Sequence, residues 1–229
     1  MRTACFVDGY NLFYGLLAGS PYKWLDLPKL LAHILRTERP GNELTSVDFF
    51  TSGVKPDLAT RGRVSKEAQD TYLRALIEKG VQVHHGRHQL ESGLAPRFVD
   101  KKTRPSRFDQ VPIWKIEEKE TDVHIAISMY RLAARQAFLT ADERVEQIVL
   151  VSADTDMTPA LRALREDYPE LQIGVILPHR EDIKRNPPGS LKSHSNWMRH
   201  TVTREELAAC QLPARVPTRK KPAIKPDYW

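Results

Sequence analysis

The chain has 229 residues, of which 41% are hydrophobic and 28% are charged, and its formal net charge is +6. The apolar fraction excludes disorder throughout, and a content of only two cysteines excludes a disulfide scaffold. No apolar run approaches the ~18 residues that a membrane-spanning helix needs. The first apolar stretch runs straight into Asp8, so it lacks the form of a signal peptide. We therefore expect a reduced, cytoplasmic, soluble protein with no membrane partner.

Two short segments carry the positive charge. Residues 211–229 hold five basic residues against one acidic residue, and residues 84–117 hold seven against four. Basicity that is confined to such segments favours contact with a polyanion such as nucleic acid. A solvated loop and a solubilising tail would give the same pattern, so charge alone leaves both interpretations open.

Strands and helices alternate along the chain as far as residue 177. In chain order, we predict a strand at 3–7, helices at 11–17 and 28–36, a strand at 45–51, a helix at 57–79, a strand at 81–88, a helix at 121–138, a strand at 147–152, a helix at 158–167 and a strand at 171–177. This order predicts an α/β fold with a central, mainly parallel sheet that is flanked by helices on both faces. The strands at 3–7, 147–152 and 171–177 are almost entirely apolar, which is typical of central parallel strands.

The helix at 121–138 has an apolar repeat. Val123, Ile127, Tyr130 and Ala134 recur at intervals of three or four residues. This spacing predicts an amphipathic helix with these four side chains along its apolar face.

Two segments break the alternation. Residues 89–112 hold three prolines and scattered basic residues with no period, so we predict a mobile or hairpin-forming insertion with residues 111–116 as its returning strand. From residue 211 the chain is rich in proline and lysine, which is typical of a tail outside the core. We therefore predict one domain over residues 1–210, with a basic insertion at about 84–117, and a disordered tail over 211–229.

Acidic residues follow the ends of two buried strands. Asp8 comes after the strand at 3–7, Asp154 and Asp156 come after the strand at 147–152, and Asp122 begins a helix. Ligands of an open parallel sheet lie at the carboxyl ends of its strands, so these four side chains can face one crevice. Two carboxylates ~5 Å apart repel by roughly 3 kcal/mol at an effective dielectric of ~20, so such a cluster is expected to hold a cation. Oxygen ligands favour Mg²⁺ or Mn²⁺ over zinc, although each aspartate alone could simply cap a turn or helix.

Three sequence blocks in the chain resemble the signature blocks of the NYN domain family. They are residues 6–12 (FVDGYNL), 119–123 (KETDV) and 152–157 (SADTDM). The family is a branch of the PIN-like metal-dependent ribonucleases and includes bacterial LabA-like proteins. The resemblance implies a PIN-like three-layer sandwich and a metal site formed by Asp8, Asp122, Asp154 and Asp156, with Asn11 in support. The chain departs from the family pattern in two places. The last block has Ala153 and Met157 where many relatives carry glycine and phenylalanine, and the family pattern does not require the long basic insertion at 84–117.

The predicted function follows from this resemblance. We expect a metal-dependent endoribonuclease that hydrolyses phosphodiester bonds in RNA, or in single-stranded DNA, with Mg²⁺ or Mn²⁺ and with catalytic residues Asp8, Asp122, Asp154, Asp156 and Asn11. Two alternatives stay open, namely a regulatory module that binds nucleic acid with little cleavage and a Mg²⁺-dependent phosphatase that acts on small phosphoesters. Trp114 and Trp229 are candidates for base stacking. The predicted nucleic-acid contacts are Arg97, Lys101, Lys102, Arg104, Arg107, Lys119, Arg219, Lys220 and Lys221.

Overall fold

The computed structural model describes residues 1–183, 186–219 and 221–229. In chain order, its strands are β1 (Arg2–Asp8), β2 (Glu43–Thr51), β3 (Gln82–His85), β4 (Arg87–Pro96), β5 (Gln110–Lys119), β6 (Gln147–Val151), β7 (Gln172–Ile176), β8 (Trp197–Arg199), β9 (Arg215–Val216) and β10 (Ala223–Ile224). Its α-helices are α1 (Gly9–Leu12), α2 (Leu27–Glu38), α3 (Arg63–Glu78), α4 (Thr121–Arg135), α5 (Thr158–Asp167), α6 (Gly189–Ser193) and α7 (Arg204–Ala209). None of these helices is long and apolar enough to cross a membrane.

A six-stranded parallel sheet forms the centre of the fold. Its strand order is β3-β2-β1-β6-β7-β8, and every neighbouring pair runs parallel. The chain builds outward from β1 on one side and later from β6 on the other, so the strand order reverses between these two strands. This confirms the predicted α/β class, and it creates a crevice at the carboxyl ends of β1 and β6.

Helices cover both faces of the sheet, which gives the predicted three layers. Alternate side chains of β1 point to opposite faces. Cys5 and Val7 pack into one core cluster with residues of α2, α3 and α7, whereas Ala4 and Phe6 pack into a second cluster with residues of α4, α5 and α6. Both cysteines, Cys5 and Cys210, are buried and unbridged.

The prediction of which α4 residues form its buried apolar face is wrong. Val123, Ile127 and Tyr130 are exposed, with 59%, 50% and 38% of their surface accessible, whereas Ile125 and Met129 are fully buried. This helix carries apolar residues on two faces, and periodicity alone does not choose which of the two meets the sheet.

Most of the predicted element boundaries agree with the structure within two or three residues. The predicted helix at 11–17 is α1 followed by a π-helical turn at Phe13–Leu17, and the predicted strand at 81–88 is divided between β3 and the start of β4. The helix α3 begins at Arg63 rather than at residue 57. Pro56–Leu58 forms a separate 3₁₀ turn, and Gly62 has a φ of 54°. The positive φ of Gly62 interrupts helical geometry, so α3 begins only at the next residue.

The insertion forms a hairpin, which is one of the two forms predicted for it. Strands β4 and β5 pair with each other over ten residues and form a two-stranded sheet of their own. We call residues 87–119 the arm and residues 97–109, which join its strands, the tip. The returning strand is longer than predicted, because it begins at Gln110 and reaches Lys119, next to α4.

The C-terminal segment packs on the domain, so the prediction of a disordered tail outside the core is wrong. Val216 and Ala223 are buried in a short antiparallel β9–β10 pair. The Trp229 ring lies 6.2 Å from that of Trp24 and 5.7 Å from that of Tyr72. Burial of aromatic and branched side chains therefore holds this segment against the domain, although its sequence is rich in proline and lysine.

Candidate functional site

Asp8 ends β1 at the crevice between β1 and β6. Its Oδ1 accepts a hydrogen bond from the backbone N–H of Asn11 (2.9 Å), and its Oδ2 accepts one from Ser152 Oγ (3.1 Å). Asn11 Oδ1 in turn accepts the backbone N–H of Ala153 (3.1 Å). Asp8 is only 5% exposed, and this burial raises the pKa of its carboxyl. Asp8 therefore caps α1 and also joins the ends of the two central strands.

Glycine follows Asp8 because α1 passes close to β2. A Cβ at Gly9 would lie 2.7 Å from the Phe49 ring and 2.7 Å from the Phe50 carbonyl oxygen. Any larger residue would push α1, and with it Asn11, away from the sheet.

Asp154 and Asp156 follow β6 on the other side of the crevice. The backbone N–H of Asp154 donates to Ser152 Oγ (3.1 Å), and Asp154 Oδ1 accepts the backbone N–H of Asp156 (2.9 Å). Asp154 is half-buried and Asp156 is exposed. Capping thus occupies one carboxylate oxygen of Asp154, and its other oxygen has no protein donor among the described residues.

Asp122, in the first turn of α4, lies within electrostatic reach of the other three aspartates. Its pKa is raised to about 6, first by partial burial and then by the negative charges of Asp154, Asp8, Glu118 and Asp156, in that order. The structure therefore brings all four predicted aspartates into one neighbourhood. Among the described residues, however, no group of three or more His, Cys, Asp or Glu side chains is close enough to hold a metal ion directly.

Glu118 is a fifth acid at this place, and no sequence pattern predicted it. It lies at the base of the arm, where its Oε1 accepts hydrogen bonds from Ser52 Oγ (3.0 Å) and Thr121 Oγ1 (2.6 Å). The available signal was its position three residues before Thr121, directly before the block KETDV. We call Asp8, Glu118, Asp122, Asp154 and Asp156 the acid edge.

Two backbone features hold the base of the arm in place. A Cβ at Gly86 would lie 2.9 Å from Ser52 Oγ and would clash with Thr121 Oγ1, and these two hydroxyls are the ones that donate to Glu118. Glu120 has a φ of 76°, in the left-handed region that non-glycine residues rarely adopt. Such backbone strain persists only where the surrounding structure enforces it, and here it lies between Glu118 and Asp122.

The predicted nucleic-acid contacts lie away from the acid edge. Strand β4 spans ten residues, so the tip lies about 30 Å from the base of the arm. All five basic residues of the tip are exposed, and Arg97 pairs with Asp109 (3.1 Å). The exposed tip residues are Arg97, Lys101, Lys102, Arg104 and Arg107.

The remaining predicted contacts differ in their surroundings. Lys119 lies on the opposite face of β5 from Glu118, because successive side chains of a strand alternate, and it pairs with Glu117. Arg219 and Lys221 are exposed in the C-terminal segment, and Lys220 lies outside the described residues.

The donor set of the acid edge fits Mg²⁺ or Mn²⁺. Its members are carboxylates, which these hard cations prefer over nitrogen and sulfur ligands. Mg²⁺ keeps several of its waters, so carboxylates that are too far apart for direct three-fold ligation still suit it. After burial, the neighbouring carboxylates contribute to the raised pKa of Asp122, so negative charge accumulates at this edge.

Comparisons with known proteins bear on the whole chain. A protein from Pseudomonas putida (strain DSM 28022 / S16), 6-hydroxy-3-succinoylpyridine 3-monooxygenase HspA, is 35% identical over 247 aligned residues, which cover all of this chain and 75% of the relative. A crystal structure of a protein of unknown function from Vibrio parahaemolyticus RIMD 2210633 covers 86% of this chain and 91% of its own, with 12% identity and a TM-score of 0.46.

The NYN domain matches residues 2–186, which is most of the chain and includes all three sequence blocks and the acid edge. This match confirms the resemblance that those blocks indicated. NYN domains form a nuclease-like family. The chain belongs to the NYN domain family.

Proposed function

We propose that this protein is a metal-dependent endonuclease that hydrolyses phosphodiester bonds of RNA at the acid edge. The observation that carries the proposal is the convergence of four aspartates at the point where the strand order reverses. There, burial and then the charges of the neighbouring carboxylates raise the pKa of Asp122 to about 6. Like charges gathered in this way are stabilised when a divalent cation binds among them. The family match supports a nuclease, because NYN domains belong to a nuclease-like family.

The roles of the acids follow from their surroundings. Asp8 and Asp154 would hold the cation, because hydrogen bonds to neighbouring backbone and side-chain groups fix both carboxylates. Asp122 and Asp156 are more exposed, which suits them to orient the attacking water through a carboxylate oxygen. A bound divalent ion supplies charge neutralisation at the phosphate and lowers the pKa of that water. Asn11 keeps Asp8 and the end of β6 in register through its side-chain oxygen.

The arm would bind the substrate strand. Trp114 is 70% exposed and lies on the same face of β5 as Glu118, four residues or roughly 13 Å away. Stacking on an aromatic side chain contributes ~1–3 kcal/mol per base and requires an unpaired base, which favours single-stranded or looped RNA. Beyond Trp114, the tip carries five basic residues against Asp100 and Asp109, which suits contact with phosphates.

A different activity is suggested by the Pseudomonas putida relative, whose name describes oxygenation of a hydroxypyridine. Its 35% identity extends over this whole chain, so a heteroaromatic substrate is the second candidate. Oxygenation consumes O₂ and two electrons from a donor. Incubation with 6-hydroxy-3-succinoylpyridine and a nicotinamide donor, with O₂ uptake as the readout, tests this candidate separately from cleavage.

Cleavage of a labelled mixed-sequence RNA tests the main proposal. Purified protein is incubated with Mg²⁺ or Mn²⁺, or with chelator, beside the variants Asp8→Asn and Asp154→Asn. We expect internal cuts that require the metal and that disappear in both variants. RNA that is bound but stays intact under every condition would favour the binding module. Turnover of a small phosphoester without salt sensitivity would favour the phosphatase, since polyanion binding weakens steeply with salt.

A further inference from the structure

A cavity of about 690 Å³ opens beside the acid edge, at the base of the arm. Segments from distant parts of the chain line it, namely α1 and the turn that follows it, the loop before α3, α3 itself, the arm and the last two residues. This volume lies within the range of small-molecule sites in proteins. The proposed cleavage uses the acid edge and the arm, and leaves this cavity without a role.

Aromatic rings line the mouth of the cavity. Tyr10 and Tyr14 stack with ring centroids 5.9 Å apart, and His88 contacts Tyr10 edge-on at 5.5 Å. Tyr14 is 69% exposed, so one face of this stack is open. On the other side, the hydroxyl of Tyr228 donates to the Val64 carbonyl oxygen (3.1 Å), which holds its ring against α3. A flat ring can extend the stack at its open face.

The charge of the cavity lining is predominantly positive. Lys23, Lys55 and Arg61 line it, and Glu118 is the one acid among the described lining residues. Neither lysine has a carboxylate partner within ion-pair distance in the described part of the chain. The Arg61 guanidinium lies over the Tyr228 ring at 4.5 Å rather than against a carboxylate. These cations can therefore bind an anionic group from a ligand without first breaking an ion pair.

From these contacts we infer that the cavity binds an aromatic anion, a flat heteroaromatic ring that bears a carboxylate or a phosphate. The ring stacks on Tyr14, and the anionic group faces Arg61, with Lys55 adding positive charge. Two sources supply this chemistry, a free heteroaromatic carboxylate and a nucleotide of an RNA strand. The inference depends on the cavity and does not require cleavage at the acid edge.

Two hydrogen bonds connect the cavity to the acid edge. The Tyr10 hydroxyl donates to the Ser52 carbonyl oxygen (3.3 Å), and Ser52 Oγ donates to Glu118 Oε1 (3.0 Å). Burial and the nearby Glu118 charge raise the pKa of Tyr10, so its hydroxyl stays a donor at neutral pH. A ligand stacked in the cavity is thus placed next to the acid edge.

Calorimetric titration in the presence of chelator tests the inference without any cleavage. The two probes are nicotinate and uridine 5′-monophosphate, and cyclohexanecarboxylate serves as an anion that lacks an aromatic ring. We expect at least one probe to bind, and we expect Arg61→Gln and Tyr14→Ala each to weaken it by about tenfold. Arg63→Gln is the matched control, because Arg63 is an exposed cation on α3 outside the cavity, and it should change nothing.

The outcomes separate the two sources. Binding of nicotinate alone supports a free heteroaromatic acid, binding of the nucleotide alone supports an RNA nucleotide, and binding of both supports the shared chemistry. The inference is overturned if neither probe binds at millimolar concentration, if cyclohexanecarboxylate binds as tightly, or if Arg61→Gln and Arg63→Gln behave alike. Failure here would leave the proposed nuclease intact, since the nuclease assay depends on metal and on Asp8 and Asp154.

Discussion

The acid edge and the arm meet at Glu118 but are built in opposite ways. Asp8 and Ser152 are buried and hydrogen-bonded at the ends of two central strands, whereas Trp114 and the tip extend into solvent on a hairpin that pairs only with itself. Groups on a packed sheet keep their geometry, and groups on an exposed hairpin can adapt to a partner. Under the proposed function, chemistry takes place at the acid edge and the arm contacts the substrate, and variants can separate the two.

Asp154→Asn should give the largest effect, and only on chemistry. The change removes a charge that would hold the cation, and a loss of several kcal/mol of transition-state stabilisation lowers cleavage by about 100-fold or more. RNA affinity should stay the same, because the arm is untouched. Single-turnover cleavage and filter binding measure the two quantities, with the exposed Asp142→Asn as the control. Equal losses in affinity and cleavage would contradict the division of roles.

Gly86→Ala tests the packing around Glu118, where the arm meets the acid edge. The added methyl group would press on Thr121 and Ser52, the two donors to Glu118, and should lower the free energy of unfolding by roughly 2 kcal/mol. Cleavage should fall with it. Gly93→Ala is the control, because a Cβ at Gly93, on β4, meets nothing within 4 Å. Chemical denaturation of both variants measures the difference in stability, and equal stabilities would contradict the close packing of Gly86 against Thr121 and Ser52.

Neutralising the tip should affect binding alone. Replacing Lys101, Lys102 and Arg104 by glutamine removes three exposed cations, so RNA affinity should fall by about tenfold at low salt, and the salt slope should flatten by up to about 2. Cleavage at saturating RNA should keep its rate. Normal affinity with slow cleavage would show that the tip takes part in the cleavage step, and would contradict the division of roles between the arm and the acid edge.

The smallest expected effect is that of Asp122→Asn on stability, a modest gain in thermal stability without metal, apart from the loss of cleavage that its proposed role with the attacking water implies. Its raised pKa means that the folded state disfavours the ionised carboxylate, so stability falls as pH rises from the ordinary pKa of aspartate to about 6. The variant should melt a few degrees higher well above this pKa, and the gain should vanish well below it. Melting curves across pH, with Asp142→Asn beside it, check the sign. A gain that is equal at all pH values would exclude charge repulsion as its cause.

The sequence predicted the acid edge better than its surroundings. Asp8 ends β1, and Asp154 comes three residues after the end of β6. Both strands are apolar and central, so the rule for parallel sheets was enough to place the two acids together. Glu118 was not predicted as a site residue, because its position depends on where the arm returns to α4. Hairpin register in turn depends on cross-strand pairing. Tertiary contacts likewise decide which apolar face of α4 is buried, and they fix Trp229 against Trp24.

Titration with Mn²⁺ at neutral pH tests the central claim most directly, because it measures the cation at the acid edge without RNA. Electron paramagnetic resonance of the free ion gives the bound amount for the wild type, Asp8→Asn, Asp154→Asn and Asp142→Asn. We expect the wild type and Asp142→Asn to bind Mn²⁺ alike, and the two acid-edge variants to bind it much more weakly. Equal binding by all four proteins would contradict a metal site at the acid edge and leave Asp8 and Asp154 as caps of α1 and of the turn after β6.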